Sequence, residues 1–262
     1  MLRLDNKVAF VTGGASGIGR AIAELYAQVG ASVVIADLNS DQAVQVADEI
    51  SKTHKVKALG VAVDVSKQDM VNAAIDKTVE VMGRLDVLNS NAGIQIIQDF
   101  VDFDFAAWKK LLSIHIDGCF LTAQAAMKKM IAAKTGGRII VTGSVHSFEA
   151  SKNKAAYVTA KHALLGMIRS IALEGAQYNI GANLLAPGFV KTPLVEKQIP
   201  EQAKALGISE EDVVKKIMLG RTFDGVFTTS EDIALSSLFC AAFPSLAFSG
   251  QSMILSHGWH MK

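Results

Sequence analysis

The feature of this sequence that most constrains its fold is the alternation of short, β-branched apolar runs with longer amphipathic segments. The apolar runs predict strands near Lys7–Thr12, Ser32–Ala36, Lys57–Val63, Asp86–Asn89, Arg138–Thr142, Gly181–Leu185 and Gln251–Leu255. Parallel strands require crossover connections, which the intervening amphipathic segments can supply as helices. The pattern therefore predicts an α/β protein, with a doubly wound parallel sheet of about seven strands and helices on both faces.

The organisation of the chain indicates one domain. No internal repeat, low-complexity segment or linker divides the 262 residues, so we expect a single domain over residues 1–262. The alternation breaks between Thr192 and Gly225, where Pro193 and Pro200 accompany two short helical patterns. An insertion at this point of a doubly wound sheet often covers the substrate, which predicts a lid at about residues 192–225.

Charge and cysteine content exclude several classes of partner. The chain has 26 Lys and Arg against 25 Asp and Glu, for a net charge of +1, and no basic stripe that would suggest nucleic acid or a lipid surface. A small neutral or anionic ligand is favoured. Cys119 and Cys240 lie in apolar segments without a CxxC or Cys/His cluster, so we expect no disulfide, no metal site and a reducing cytoplasm.

Two segments bear on targeting. The N-terminal residues lack the apolar region and cleavage site of a signal peptide, so we expect no export. The stretch Ile233–Met261 contains no Asp, Glu, Lys or Arg and is long enough for a membrane span, but Pro244, Gly250 and several serines interrupt it. It is predicted to form a buried helix, a turn and a final strand, without contact with a membrane.

A glycine-rich turn follows the first strand directly. It reads Thr12-Gly13-Gly14-Ala15-Ser16-Gly17-Ile18-Gly19 and leads into the helical pattern Arg20–Val29. Glycine lets the backbone approach a ligand, and the N-terminus of the next helix offers free N–H groups to a pyrophosphate. The turn therefore predicts a Rossmann-type dinucleotide site, although a tight turn without a ligand remains the alternative.

The acid that ends the second strand indicates which dinucleotide binds. Asp37 lies eighteen residues after Gly19, where such folds place a carboxylate that accepts hydrogen bonds from the adenosine ribose. A 2′-phosphate would meet this carboxylate, and the neighbouring Ser16 and Leu38 supply no basic group. The sequence therefore predicts NAD rather than NADP, unless Asp37 is only a solvated acid before a helix cap at Asn39 or Ser40.

Three polar side chains suggest proton-transfer chemistry. Tyr157 and Lys161 lie four residues apart in the helical pattern Ala155–Tyr178 and so share one face, and Ser144 follows the fifth strand. A nearby ammonium favours the phenolate and is expected to lower the pKa of Tyr157 from about 10. A serine hydroxyl could then hold the substrate oxygen while tyrosine exchanges its proton.

These pieces together resemble the short-chain dehydrogenase/reductase family over essentially the whole chain. The matching residues are Thr12–Gly19, Asp64-Val65, Asn91-Ala92-Gly93, Ser144, Tyr157-x-x-x-Lys161, and Pro187-Gly188 followed by Thr192. The resemblance implies that Ser144, Tyr157 and Lys161 carry the chemistry. It also implies a cofactor site formed by Gly13, Ser16, Gly17, Ile18, Gly19, Asp37, Asp64, Val65, Asn91, Gly93, Tyr157, Lys161, Pro187, Val190 and Thr192.

Four further side chains are similar to those with which one branch of the family grips (R)-3-hydroxybutyrate. In that branch they hold the substrate carboxylate, and here they are Gln95, His146, Lys154 and Gln198. Together with Ser144 and Tyr157 they form the predicted substrate site. Gln95 and Gln198 could instead be solvated loop residues, and His146 could cap backbone groups. Lys154 is more informative, because a cation in the first turn of a helix capped by Asn153 would oppose the helix dipole by about 0.3–1 kcal/mol.

The chain also departs from the family pattern. His115 stands where the family has an asparagine that orders a water relay beside the lysine, and we expect it to keep a catalytic role in an altered relay. The Asn-Asn-Ala-Gly turn begins with Ser90, and the last strand ends Ser256-His257-Gly258-Trp259 where many relatives have Asp-Gly-Gly. Phe189 stands where some members of the hydroxybutyrate branch have a tryptophan. The resemblance implies a homotetramer built through the long helices Asp104–Lys134 and Asn153–Tyr178.

The resemblance thus implies an NAD-dependent oxidoreductase that interconverts (R)-3-hydroxybutyrate and acetoacetate by hydride transfer. The first alternative is another member of the family, acting on a different β-hydroxy acid or on a 3-oxoacyl thioester, which would leave Lys154 and His146 unpaired. The second is a non-catalytic protein that senses the dinucleotide, which only His115 favours. Formation of NADH on adding 3-hydroxybutyrate would distinguish enzyme from sensor.

Overall fold

The computed structural model describes residues 2–261, apart from the side chain of Leu194. Strands and helices alternate along this part of the chain. The strands are β1 (Val8–Thr12), β2 (Ser32–Asp37), β3 (Ala58–Ala62), β4 (Val87–Ser90), β5 (Gly137–Thr142), β6 (Ile180–Pro187) and β7 (Ser252–Leu255). The helices are α1 (Gly17–Gln28), α2 (Ser40–His54), α3 (Gln68–Met82), α4 (Phe105–Leu112), α5 (Gly118–Ala133), α6 (Ala155–Gly175), α7 (Pro193–Leu206), α8 (Glu210–Asp212) and α9 (Ser230–Ala242).

The strands form one parallel sheet in the order β3-β2-β1-β4-β5-β6-β7. The order reverses direction between β1 and β4, where Phe10 pairs with Leu88. At such a switch point the connections leave on opposite faces, so a crevice opens beyond the carboxyl ends of the strands. The predicted α/β architecture and single domain are confirmed, while the predicted limits, residues 1 and 262, lie outside the described residues.

Helices cover both faces of the sheet because each central strand is apolar on both sides. Along β1, Ala9 and Val11 pack in one buried cluster with α1, α2 and α9, and Val8 and Phe10 pack in the other with α3, α5 and α6. This period of two places successive side chains on opposite faces. A continuous run of apolar residues is therefore what a buried parallel strand requires.

The uncharged C-terminal segment forms α9 and, after a turn, β7, as the sequence predicts. Ile233, Leu238 and Cys240 are buried in the core cluster that also holds α1. Among residues 2–261, no helix combines the length and the apolar character that a membrane crossing needs.

The structure adds detail to two predicted helical segments. The long helix predicted over Asp104–Lys134 is divided into α4 and α5 by a π-helical turn at Ser113–Asp117. The segment 192–225 contains α7, α8 and a second π-helical turn at Val213–Met218. Its apolar residues Val195, Val213 and Met218 form a small cluster of their own with Phe189.

Candidate active site

A cleft of about 390 Å3 opens at the carboxyl ends of the central strands. It is lined by every side chain or backbone segment that the sequence predicts for the cofactor and substrate sites, with the exception of Gly19. Those residues come from seven separate parts of the chain. The parallel sheet brings them together because all its strands end at the same edge.

The glycine-rich turn connects β1 to α1 with two residues in left-handed conformation, Gly13 at φ +61° and Gly17 at φ +50°. Gly19 has a different role, because a Cβ at this position would overlap the carbonyl oxygen of Gly13. It allows α1 to pack against the turn. Ser16 precedes α1, and its side chain makes no capping hydrogen bond to the helix. The first backbone N–H groups of α1 can therefore donate to a ligand.

Asp37 fixes the position of this turn relative to β2. Its carboxylate accepts hydrogen bonds from the backbone N–H of Ala15 at 3.1 Å and of Asn39 at 3.1 Å. Asn39 in turn caps α2 by accepting from Gln42. Asp37 is therefore a structural part of the cleft wall and more than a solvated acid beside a cap, while its neighbour Leu38 is 74% exposed.

Asp64 and Asn91 are held at the next two strand ends. Asp64 accepts from the hydroxyl of Ser66 at 2.7 Å and from its backbone N–H at 3.0 Å, and these bonds keep the pKa of the carboxyl low. The Asn91 amide donates to the carbonyl oxygens of Thr12 at 3.2 Å and Gly13 at 3.4 Å. Asn91 therefore ties the end of β4 to the glycine-rich turn.

Ser144, Tyr157 and Lys161 meet in the middle of the cleft. The Ser144 hydroxyl accepts from the backbone N–H of His146 at 3.1 Å, and its interaction with the Tyr157 hydroxyl acts to lower the pKa of that group. The Lys161 ammonium donates to the carbonyl oxygen of Thr142 at 2.7 Å and lies 5.3 Å from the centroid of the Tyr157 ring. Tyr157 and Lys161 both lie on α6, as their spacing of four residues predicts.

The pKa of Tyr157 contradicts the expectation from sequence. Burial raises it to about 12, although the hydrogen bond from Ser144 opposes this change. Lys161 does not reverse it, because burial lowers the pKa of its own ammonium to about 7 and that group is already bonded to Thr142. A phenolate at neutral pH would therefore need further positive charge in the cleft.

His115 lies on the π-helical turn between α4 and α5, with its side chain buried. Its Nε2 is 2.8 Å from the carbonyl oxygen of Ile94, and its ring meets Tyr157 edge-on at 5.5 Å between centroids. Burial and the Lys161 charge lower the pKa of His115 to about 3, so the imidazole is neutral. A Cβ on Gly93 would overlap this ring, which explains the glycine.

Lys154 lies at the other end of the cleft and is only 5% exposed. Its ammonium is 4.8 Å from the centroid of the Phe189 ring, and no carboxylate among the described residues pairs with it. Burial lowers its pKa to about 8. The expected cap is wrong: Lys154 itself precedes α6, while Asn153 has φ +62° and donates to Asp99 at 2.8 Å.

The other predicted substrate residues line the cleft around Lys154. Both amide atoms of Gln95 and the Nε2 atom of His146 are buried without a hydrogen-bond partner in the described part of the chain. His146 Nδ1 lies 3.3 Å from the carbonyl oxygen of Glu149, and burial lowers the pKa of this histidine to about 4. Gln198 is buried on α7. Gln95 and His146 therefore present polar atoms to the cleft that have no partner among the described residues.

Trp259 also lines the cleft, and sequence reasoning did not assign it to the site. Its ring stacks on Phe189 at 5.1 Å and meets His146 edge-on at 5.4 Å, and its Nε1 has no partner among residues 2–261. The next residue, His260, contacts Glu149 at 2.7 Å. The sequence pointed to Trp259 only through the ending Ser256-His257-Gly258-Trp259, which differs from that of many relatives.

Comparisons with known proteins agree with this geometry. A family model described as short chain dehydrogenase matches residues 7–203. D-beta-hydroxybutyrate dehydrogenase of Rhizobium meliloti (strain 1021) is 35% identical over 254 residues, covering 97% of this chain and 98% of the relative. The 3-oxoacyl-(acyl-carrier-protein) reductase of Aquifex aeolicus (strain VF5) is 33% identical over 241 residues, covering 91% of each.

A solved structure extends the likeness to three dimensions. Carveol dehydrogenase from Mycobacterium avium, in complex with NAD, superposes with a TM-score of 0.92 at 26% identity and covers 99% of both chains. The family model covers well over half of the chain, and the two relatives and the shared fold span more than nine tenths of it. The protein belongs to the short-chain dehydrogenase family.

Proposed function

We propose that this short-chain dehydrogenase is an NAD-dependent 3-hydroxybutyrate dehydrogenase, which interconverts (R)-3-hydroxybutyrate and acetoacetate. The observation that carries the proposal is the buried ammonium of Lys154, which has no carboxylate partner in the described chain. A buried charge is unfavourable unless something pairs with it. A substrate carboxylate would supply that pair, and it would also accept a hydrogen bond from the buried amide nitrogen of Gln95.

The position of the catalytic groups relative to Lys154 supports a β-hydroxy acid. Lys154 precedes α6 and Tyr157 lies on its first turn, so both face the same cleft. A substrate that bridges them would carry its alcohol a short distance from its carboxylate. Phe189 and Trp259 form an aromatic wall beside Lys154 that would limit the length of the alkyl chain.

The chemistry proposed for the chain is proton exchange at the C3 oxygen. In oxidation, Tyr157 accepts the hydroxyl proton, Ser144 holds the oxygen by a hydrogen bond, and the carbon loses a hydride. NAD, when bound, supplies the hydride acceptor and a positive nicotinamide ring that favours the phenolate. Lys161 would stabilise the negative charge of the Tyr157 phenolate and bind the nicotinamide ribose. His115 remains neutral and would take part in the altered relay beside Lys161.

The cleft fits NAD on three observations. The N-terminus of α1 has free N–H groups for the pyrophosphate, and Asp37 offers a carboxylate at the end of β2 for the adenosine ribose. The residue after Asp37 is Leu38, which has no positive charge to bind the 2′-phosphate of NADP. The cleft is also lined by Ser16, Ile18, Val65, Asn91, Pro187, Val190 and Thr192. Segment 192–225, through α7, is proposed to act as a lid that brings Gln198 to the substrate.

We further propose a homotetramer in a reducing cytoplasm. The helices through which the resemblance implies assembly carry exposed apolar side chains, among them Phe105 at 74% and Leu173 at 81% exposure. Subunit contacts would cover such groups. Cys119 and Cys240 are both free thiols. Light scattering of the purified protein tests the assembly and should give four times the 27.9 kDa of one chain.

The function is tested by following NADH formation with (R)-3-hydroxybutyrate and NAD. The (S) enantiomer, the methyl ester and longer 3-hydroxy acids should be poorer substrates, and acetoacetate with NADH should give the reverse reaction. Efficient reduction of a 3-oxoacyl thioester with no activity on the free acid would overturn the proposal in favour of a reductase. NAD binding without any turnover would favour the sensor.

A further inference from the structure

The two ring nitrogens of His146 have different surroundings. Nδ1 lies 3.3 Å from the carbonyl oxygen of Glu149, which can only accept a hydrogen bond, so Nδ1 carries the hydrogen. Nε2 is buried at the wall of the cleft without a partner in the described chain. In a neutral ring the lone pair is therefore on Nε2, and this atom can only accept a hydrogen bond.

The surroundings of the ring favour this neutral form. The charged and titratable groups around it are Lys154 just before α6, Tyr157 and His162 on α6, and Glu149 beyond its own turn. Arg221 and His260 hold the Glu149 carboxylate at 2.6 and 2.7 Å. Burial and the Lys154 charge lower the pKa of His146 to about 4. Near neutral pH the imidazole therefore carries no charge.

A neutral His146 and a carboxylate ligand are incompatible as direct partners. The lone pair of Nε2 would face carboxylate oxygens, which are also acceptors, and Gln95 has only one donating atom to offer. Adding a proton to Nε2 turns this repulsion into a charge-assisted hydrogen bond. The Nδ1 bond to Glu149 is unchanged, because a protonated imidazole donates from both nitrogens.

We propose that a carboxylate substrate enters this cleft together with one proton, which His146 holds at Nε2 between its ring and the carboxylate. The inference rests on the proposed function, because it assumes that the ligand at Lys154 is a carboxylate. No covalent bond other than N–H forms, and solvent supplies the proton. Hydroxy acid and keto acid both carry the carboxylate, so the proton affects the binding of each and leaves the reaction equilibrium unchanged.

Thermodynamic linkage between proton binding and substrate binding gives the size of the pH effect on affinity. Between the pKa of His146 in the protein and its higher pKa in the complex, binding takes up one proton, so affinity falls tenfold for each unit of rising pH. Below pH 7, Lys154 is charged in both states and contributes little. Above pH 7, Lys154 begins to lose its own proton, and the substrate affinity falls more steeply with pH.

Calorimetry of a complex that cannot react measures the proton directly. The enzyme saturated with NADH is titrated with (R)-3-hydroxybutyrate at pH 6.0 in buffers of different ionisation enthalpy, at about 25 °C. The dependence of the heat on the buffer should give about one proton taken up per site. The Kd should rise about tenfold per pH unit between pH 5.5 and 7, and the methyl ester should show neither effect.

Variants identify the group that takes up the proton. His146→Gln keeps a donor and an acceptor without titrating, so its proton uptake should fall to near zero and its Kd should become independent of pH. His162→Gln makes the same change at an exposed histidine of α6 and should keep the uptake of about one proton.

Turnover of the acid by the unmodified protein with no proton uptake would overturn this inference and leave the proposed function intact. Uptake that persists in His146→Gln would overturn it as well. Failure to bind or oxidise 3-hydroxybutyrate at all would overturn the proposed function, and this inference with it.

Discussion

Replacing Lys154 by methionine should make the protein more stable and a poorer enzyme at the same time. The side chain is 5% exposed, and burial lowers the pKa of its ammonium from 10.5 to about 8. That difference corresponds to about 3 kcal/mol against the charged form in the folded state. The contact with Phe189 at 4.8 Å returns about 0.5–1 kcal/mol. Methionine has a similar length and no charge, so the free energy of unfolding should rise by about 2 kcal/mol.

The pH dependence of this gain follows from the sign of the pKa change. The folded pKa of Lys154 lies below its ordinary value, so the unfolded chain binds the proton more tightly. The destabilisation of the folded protein by the buried ammonium is at its full value below pH 8 and disappears as the pH rises to 10.5. The advantage of Lys154→Met should therefore be constant between pH 6 and 7 and shrink above pH 8. Urea denaturation at several pH values measures it.

Catalysis should change in the opposite direction. A hydrogen bond to a charged group contributes about 1.5–3 kcal/mol, so the KM for (R)-3-hydroxybutyrate should rise about 10- to 150-fold in Lys154→Met. The KM for the methyl ester, which has no charge to lose, should change little. Lys152→Met is the matched control, because Lys152 is exposed and two residues away, and neither its stability nor its KM should change appreciably.

The reasoning is refuted by either of two results. A loss of stability in Lys154→Met at neutral pH would mean that the ammonium has a favourable partner in the folded protein. An equal change of KM for acid and ester would mean that Lys154 does not bind the carboxylate.

Four further changes test the remaining groups. Tyr157→Phe should reduce turnover at least 100-fold while fluorescence titration still detects NADH binding, and appreciable activity would exclude it as the proton acceptor. The pair Asp37→Ser and Leu38→Arg should narrow the preference for NAD over NADP in kcat/KM, whereas equal use of both by the unmodified enzyme would contradict the role of Asp37. His115→Asn should retain most activity and His115→Ala should be slower and less stable by about 1–3 kcal/mol; identical rates would show that the position has no mechanistic weight. Gly19→Ala should destabilise the protein and weaken NADH binding, because the new Cβ overlaps the Gly13 carbonyl oxygen, and unchanged thermal unfolding would contradict this.

Local sequence predicted the elements of the sheet because the relevant interactions are local or periodic. Each predicted strand appears, and β1 and β7 begin only one residue later than expected. Period-two burial on both faces leaves few positions at which an apolar run can begin or end. The sequence did not predict the break in the long helix at the π-helical turn Ser113–Asp117, which contains His115.

Site residues whose spacing lies within one element were also predictable. The fixed geometry of a helix places Tyr157 and Lys161 on one face, and the glycine-rich turn requires Gly13 and Gly17 at positive φ. Trp259 could not be placed in this way. It reaches His146 because β7 lies next to β6 and the chain then turns back over Glu149, which are contacts between segments far apart in the sequence.

The sequence by itself thus determined the fold class, the dinucleotide turn and the set of groups available for chemistry, because these depend on residue type and spacing. Only the tertiary structure decided the protonation state of those groups. The pKa of Tyr157 rises, the ammonium groups of Lys154 and Lys161 lose part of their basicity, and His146 becomes neutral. In each case the principal cause is removal of water by side chains from other elements. The burial of these polar groups is a property of the packed molecule, and the residues next to them in the sequence do not encode it.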